Sequence, residues 1–90
     1  MSRKLIDSLK RYWALNNETI PGASIIEMVG DFRVLIENHK GIISYSIQQI
    51  QIKTDLGVLS VSGEELSLAY MSDKQLVING CVRGVTLAKG

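Results

Sequence analysis

From Ala23 onward, apolar and polar residues alternate with a period of two, and this alternation is the strongest constraint on the fold. The runs 32–37 and 49–53 show it most clearly. Successive side chains of a β-strand point to opposite faces, so each run predicts a strand with one buried face. Breaks recur about every eight to ten residues, and the predicted turns are 30–31, 38–41, 55–57, 63–65 and 72–74. The pattern predicts an all-β domain, a small antiparallel sheet or meander of sandwich-like or roll-like form.

A strand–glycine–strand pattern occurs twice, with Gly63 and Gly80 in equivalent places. Two hairpins are the favoured interpretation, and two coils of a short β-solenoid are the alternative. Asn79-Gly80 is a common hairpin dipeptide. Gly80 nevertheless keeps the phase of the apolar residues around it, which favours a strand that continues through a bend or a close backbone contact. Gly84 is expected to interrupt the final strand.

The first residues have a helical period instead. An amphipathic helix is predicted over residues 3–15, within an N-terminal segment 1–16, followed by a linker at 17–24 and a β domain at 25–90. A short helix of this kind needs a surface to lie against. Covering one face of the sheet is the favoured role, and contact with a partner or an anionic membrane surface is the alternative. The candidate contact residues are Arg3, Lys4, Lys10, Arg11, Tyr12 and Trp13.

Composition narrows the functional class. The 90 residues are 46% hydrophobic and 21% charged, with a net charge of +1, so we expect one globular domain and no nucleic-acid partner. A single cysteine, Cys81, and a single histidine give no basis for a disulfide, a metal site or a cofactor. We expect Cys81 to behave as a small apolar residue. No apolar run approaches the roughly 20 residues needed to span a bilayer, and no signal-peptide core is present, so we expect no export by that route.

Glu37 and His39 are the only candidates for acid–base chemistry. Residues two apart on a strand point to the same side, so the two side chains can approach each other. A catalytic pair also needs a pocket and usually a third group, which the sequence does not supply. A small enzyme that uses His39 is therefore the minor alternative. The main hypothesis is a structural turn in which Asn38 adopts a turn conformation while Glu37 and His39 satisfy nearby backbone groups.

Three segments resemble a known family. They are GDFRVLIENHKGIISYS, IQIKTDLGVLSVSGEELSL and MSDKQLVINGCVRGVTL, which together cover most of residues 20–88. Their motifs are similar to those of the YabP/YqfC family of sporulation proteins, and most similar to the YqfC type. The core of the resemblance is Glu37, Asn38, His39 and Gly41. The segment 81–84 departs from the pattern.

The resemblance implies a non-enzymatic protein of endospore-forming bacteria without catalytic residues or cofactors. It implies a structural or assembly component that binds a membrane protein of the YqfD type in the mother cell. We expect it in the mother-cell cytoplasm, peripherally at the membrane around the forespore, with self-association into a homo-oligomer as a further expectation. The alternative is a protein anchored to the membrane surface by its basic N-terminal helix.

Overall fold

The computed structural model describes residues 23–89, which form one antiparallel sheet of six strands. The strands are β1 (Ile25–Val29), β2 (Arg33–Glu37), β3 (Ile42–Tyr45), β4 (Gln49–Thr54), β5 (Gly57–Met71) and β6 (Gln75–Ala88). The predicted all-β antiparallel class is confirmed. The predicted helix at 3–15 lies outside the described residues.

The strands follow the order β1-β2-β6-β5-β4-β3. The long hairpin β5–β6 occupies the centre, β1–β2 flanks it on one side and β3–β4 on the other. Each ladder among the described strands is antiparallel. The alternative of a short β-solenoid is therefore wrong, since solenoid coils stack parallel strands.

The sheet is curled so that one face encloses the core. Three shifts of register interrupt the β5–β6 ladder, and irregularities of this kind bend a strand and increase its twist. As a result, apolar residues from both halves of the sheet form a single cluster. Its buried members are Val34, Ile36, Ile50, Ile52, Leu59, Val61, Leu66, Leu76, Ile78 and Val82.

A second, smaller cluster lies at β2 and β6. Leu35 and Val77 are each 1% exposed and oppose each other in the ladder, and Ile25, Val29, Ala69 and Tyr70 pack around them. Residues 34–36 are consecutive, and all three are buried. β2 is therefore buried on both faces, whereas the alternation predicted one buried face only.

The pattern with the repeated glycine corresponds to one hairpin. The first copy lies wholly within β5 and the second wholly within β6. The prediction of two hairpins is wrong, because each copy is a single long strand.

The predicted turn at 63–65 is also wrong. These residues belong to β5, in a stretch where two register shifts replace a turn and Glu65 has a φ of 52°. A glycine beside polar residues is typical of turns and of bulges alike, so the sequence does not distinguish the two.

β6 runs through both of its inner glycines. Gly84 pairs with Ser62, so the expected interruption of the final strand is wrong. Gly80 confirms the interpretation of a continuous strand with a close backbone contact. Its φ is 146°, and a Cβ atom there would lie 2.8 Å from the carbonyl oxygen of Glu65 and 2.9 Å from the Cα atom of Leu66.

Candidate functional site

Residues 38–41, here called the crossover segment, connect two distant parts of the sheet. β2 lies next to one edge, whereas β3 forms the opposite edge. The other connections between consecutive strands join direct neighbours in the sheet. The crossover segment is therefore the place where the chain passes from one half of the curled sheet to the other.

Backbone hydrogen bonds attach the crossover segment to both halves. The backbone N–H groups of Asn38 and His39 donate to the carbonyl oxygen of Lys74, at 2.6 and 3.3 Å. Lys74 belongs to the turn between β5 and β6. Two residues later the contacts change to β4: the Lys40 N–H donates to the Lys53 carbonyl at 2.7 Å, and the Lys53 N–H donates to the Gly41 carbonyl at 2.8 Å. Four residues thus join the end of β4 to the β5–β6 turn.

Asn38 begins the segment in the left-handed region, with a φ of 61°. Asparagine tolerates this conformation better than most residues because its short side chain can bond locally. Here its Nδ2 donates to the carbonyl oxygen of Ala23 at 2.8 Å, while its own carbonyl accepts from the Ser24 hydroxyl at 2.9 Å. Asn38 therefore fixes the residues that lead into β1 as well as the exit from β2.

His39 is the second residue of the segment and is only 6% exposed. Its Nδ1 accepts a hydrogen bond from the Gly41 N–H at 3.0 Å. Nδ1 must then be unprotonated, so the proton is on Nε2, which donates to the Ser72 carbonyl at 2.8 Å. Both ring nitrogens are engaged by backbone groups. Gly41 supports this arrangement with a φ of 117°, which residues other than glycine rarely adopt.

Glu37 has a different partner. Its Oε1 accepts from Nε2 of Gln75 at 2.7 Å, across the β2–β6 ladder. The two residues considered as an acid–base pair therefore bond to separate groups: Glu37 to a side chain of β6, and His39 to Ser72 and Gly41. An open depression of about 440 Å³ lies around the β5–β6 turn, lined by Glu37, Asn38, Tyr70, Ser72, Asp73, Lys74 and Gln75. The imidazole of His39 is not part of that lining.

Asp55 lies close to the same end of the sheet. Its Oδ1 accepts a hydrogen bond from the Ser24 N–H at 3.0 Å. Hydrogen bonding to the Ser24 side chain, and then to this N–H, lowers the pKa of the Asp55 carboxyl group below its ordinary value. Ser24 thus connects the start of β1 both to Asn38 and to the turn after β4. Nothing in the sequence pattern marked Ser24 or Asp55 as partners, because 31 residues separate them.

Two other features that could bear on chemistry lie in β5 and β6. Glu64 forms an ion pair with Arg83 at 2.6 Å, both side chains being largely exposed, and Glu64 raises the pKa of the Arg83 guanidinium above its ordinary value. Cys81 is a free, half-buried residue of β6. Within residues 23–89, no three His, Cys, Asp or Glu side chains are grouped so as to hold a metal ion. The predicted contact residues Arg3, Lys4, Lys10, Arg11, Tyr12 and Trp13 lie outside the described residues.

Comparison with known proteins gives one result. The sequence profile of the YabP family matches residues 21–90, which includes each described strand and the crossover segment. Among curated proteins, none matches the chain. In the described part of the chain, no helix has the length and apolar character to cross a membrane. Since the match covers most of the sequence, the chain belongs to the YabP family, and this membership suggests a role related to sporulation.

Proposed function

We propose that this chain is a non-enzymatic sporulation protein of the YqfC type, which acts in the mother cell by binding a membrane protein of the YqfD type. The observation that carries the proposal is the set of hydrogen bonds made by the side chains of the crossover segment. Its asparagine and histidine, the most distinctive polar residues of the family motif, bond to backbone groups of this same chain. A catalytic histidine needs a ring nitrogen directed at a substrate, and both nitrogens of His39 have internal partners.

In this proposal the motif is structural. The crossover segment holds together the β5–β6 turn, the end of β4 and the entry to β1. These parts are distant in sequence, so their relative position depends on the few residues that join them. The motif maintains the fold of the sheet and takes no part in a reaction.

The N-terminal segment is our candidate for the contact with the partner and the membrane. Its basic residues suit an anionic membrane surface or an acidic partner, and Tyr12 and Trp13 suit the boundary between water and lipid. The protein would then reside in the mother-cell cytoplasm, peripherally at the membrane around the forespore. A protein that binds the membrane surface without a protein partner is the second candidate, and the same basic segment favours it.

Affinity purification from sporulating cells tests the proposal. The tagged full-length chain is compared with a variant in which Arg3, Lys4, Lys10 and Arg11 are all replaced by Gln. We expect the wild-type chain to recover a membrane protein of the YqfD type and the neutralised variant to recover several-fold less. Equal recovery would place the contact on the sheet instead.

Vesicle binding separates the two candidates. Sedimentation with anionic vesicles measures whether the purified chain binds lipid without any other protein. Failure to recover a membrane protein, together with strong vesicle binding by the wild-type chain alone, would contradict the partner proposal and support direct membrane binding. The neutralised variant is the control, because binding to anionic lipid decreases when basic residues are removed.

A further inference from the structure

The edge strand β3 presents an unusually apolar surface. Among the described strands it pairs with β4 only, so its outer backbone groups face away from the sheet. Ile43, Tyr45 and, just beyond the strand, Ile47 are 52%, 50% and 61% exposed. Exposed edges with β-branched and aromatic side chains are templates for pairing with another strand.

The stretch around this edge contains no charge. Residues 41–52, GIISYSIQQIQI, include no Asp, Glu, Lys, Arg or His. Monomeric proteins commonly protect an edge strand with lysines, inward charges or proline. Here the protection is limited to the shortness of β3 and one irregularity between Ile42 and Ser44.

The opposite edge differs in this respect. β1 has Glu27 at its centre, with an exposed Met28 beside it. If two copies paired antiparallel about the middle of β1, the two Glu27 carboxylates would face each other, and like charges directly opposite destabilise a strand pair. β3 contains no charged residue, so two copies paired along it would not bring like charges together.

We propose that a second copy of this chain pairs with the first along β3, joining two curled sheets edge to edge. A two-fold interface brings the same surface of both copies together, so it requires an edge that is compatible with itself. A neutral edge meets this requirement. Antiparallel pairing centred on Ser44 would place Ile43 of each copy opposite Tyr45 of the other, and aromatic–β-branched pairs of this kind are favourable.

Two features of β3 limit the affinity of this dimer. The strand has only four residues, and its irregularity interrupts the ladder. Few hydrogen bonds can therefore form between the copies, and the dimer fraction depends on protein concentration. Dimerisation would raise the number of partner-binding surfaces per assembly, but the inference does not require the proposed partner.

The test is sedimentation velocity of the purified full-length chain over a roughly hundredfold range of concentration. We expect the wild-type chain to convert from monomer to dimer across this range. Ile43→Lys and Ile43→Glu should each remain monomeric, because the favourable pair with Tyr45 is lost and two like charges then lie at diagonal positions across the edge. Met28→Lys is the matched control. Met28 is an apolar residue on the other edge with similar exposure, 46% against 52% for Ile43, and this variant should dimerise as the wild type does.

Mixing the two Ile43 variants makes the test specific. Opposite charges then lie at diagonal positions across the proposed interface, within reach of long side chains, so native mass spectrometry should detect a dimer with one copy of each variant. This restoration also shows that both variants are folded. A wild-type chain that stays monomeric throughout would overturn the proposal. So would dimerisation that Met28→Lys abolishes and the Ile43 variants leave unchanged.

Discussion

At the scale of single residues, His39 has the most specific role that the contacts reveal. His39 is buried, and its ring joins the Ser72 carbonyl to the Gly41 N–H. A buried polar group with two internal partners is costly to remove, since both partners lose their hydrogen bonds and the ring leaves a cavity.

This role predicts the effect of His39→Ala on stability. We expect the free energy of unfolding to decrease by about 2–4 kcal/mol, from the unpaired backbone groups and the cavity together. Urea denaturation of the full-length chain measures the change. Lys40→Ala is the control: its side chain is exposed, and the bond that fixes it to β4 comes from the backbone, so we expect a change within about 0.5 kcal/mol. Equal effects of the two substitutions would contradict the role assigned to the ring.

At the scale of elements, the long hairpin β5–β6 determines the curl of the sheet. Its three shifts of register occur between Ser62 and Tyr70, opposite the middle of β6. Gly80 allows the two strands to approach closely in this region, because an added methyl group would collide with the backbone at Glu65 and Leu66. The bend therefore depends on a position without a side chain.

Alanine substitutions in β6 test this dependence. Gly80→Ala combines a φ that is essentially restricted to glycine with a backbone collision, so we expect a loss of about 3 kcal/mol or more. Gly84→Ala, in the same strand, meets only the Ser62 hydroxyl at 3.2 Å, a side chain that can move, and should cost about 1 kcal/mol or less. Thermal unfolding of both variants gives the comparison. A mild effect at Gly80 would show that the bend does not need the glycine.

The elements also show where prediction from the sequence succeeds. The strong alternation of apolar and polar residues in the runs 32–37 and 49–53 predicted β2 and β4. Clusters of glycine or polar residues predicted the turns before β2, β5 and β6. The continuous strands through Gly63 and Gly84 were missed, because the residue types found at a register shift are also typical of turns. β3 was not predicted as a strand, since its residues follow no clear alternation between buried and exposed positions.

At the scale of the whole molecule, the less predictable features depend on contacts between distant residues. The burial of Leu35 arises from its position opposite Val77, and the second partner of His39 is 33 residues away. Neither contact can be recognised from the residues that are adjacent in the sequence. The sequence did indicate that Glu37, Asn38 and His39 belong together. The structure adds that they attach to two parts of the fold. Asn38 bonds to Ala23, just before β1, whereas Glu37 and His39 bond to Gln75 and Ser72, which close the β5–β6 turn.

This organisation accounts for a small domain whose distinctive motif bonds to other groups of the same chain. A 90-residue chain has little interior, so a connection that joins several distant parts contributes strongly to its stability. In our proposal, such a domain acts as a stable binding component and not as an enzyme. The central claim is that the role of His39 is structural and not catalytic.

The most direct test of that claim is the spore yield of the host carrying His39→Ala, at a growth temperature where the variant is still folded. Its cellular abundance, measured by immunoblot, and the unfolding curve of the purified variant establish that condition. We predict a yield close to that of the wild type, because the proposed contact residues lie in the N-terminal segment and a folded domain does not need the imidazole for them. A variant that is folded and as abundant as the wild type, yet yields no spores, would contradict the structural role and support catalysis by His39.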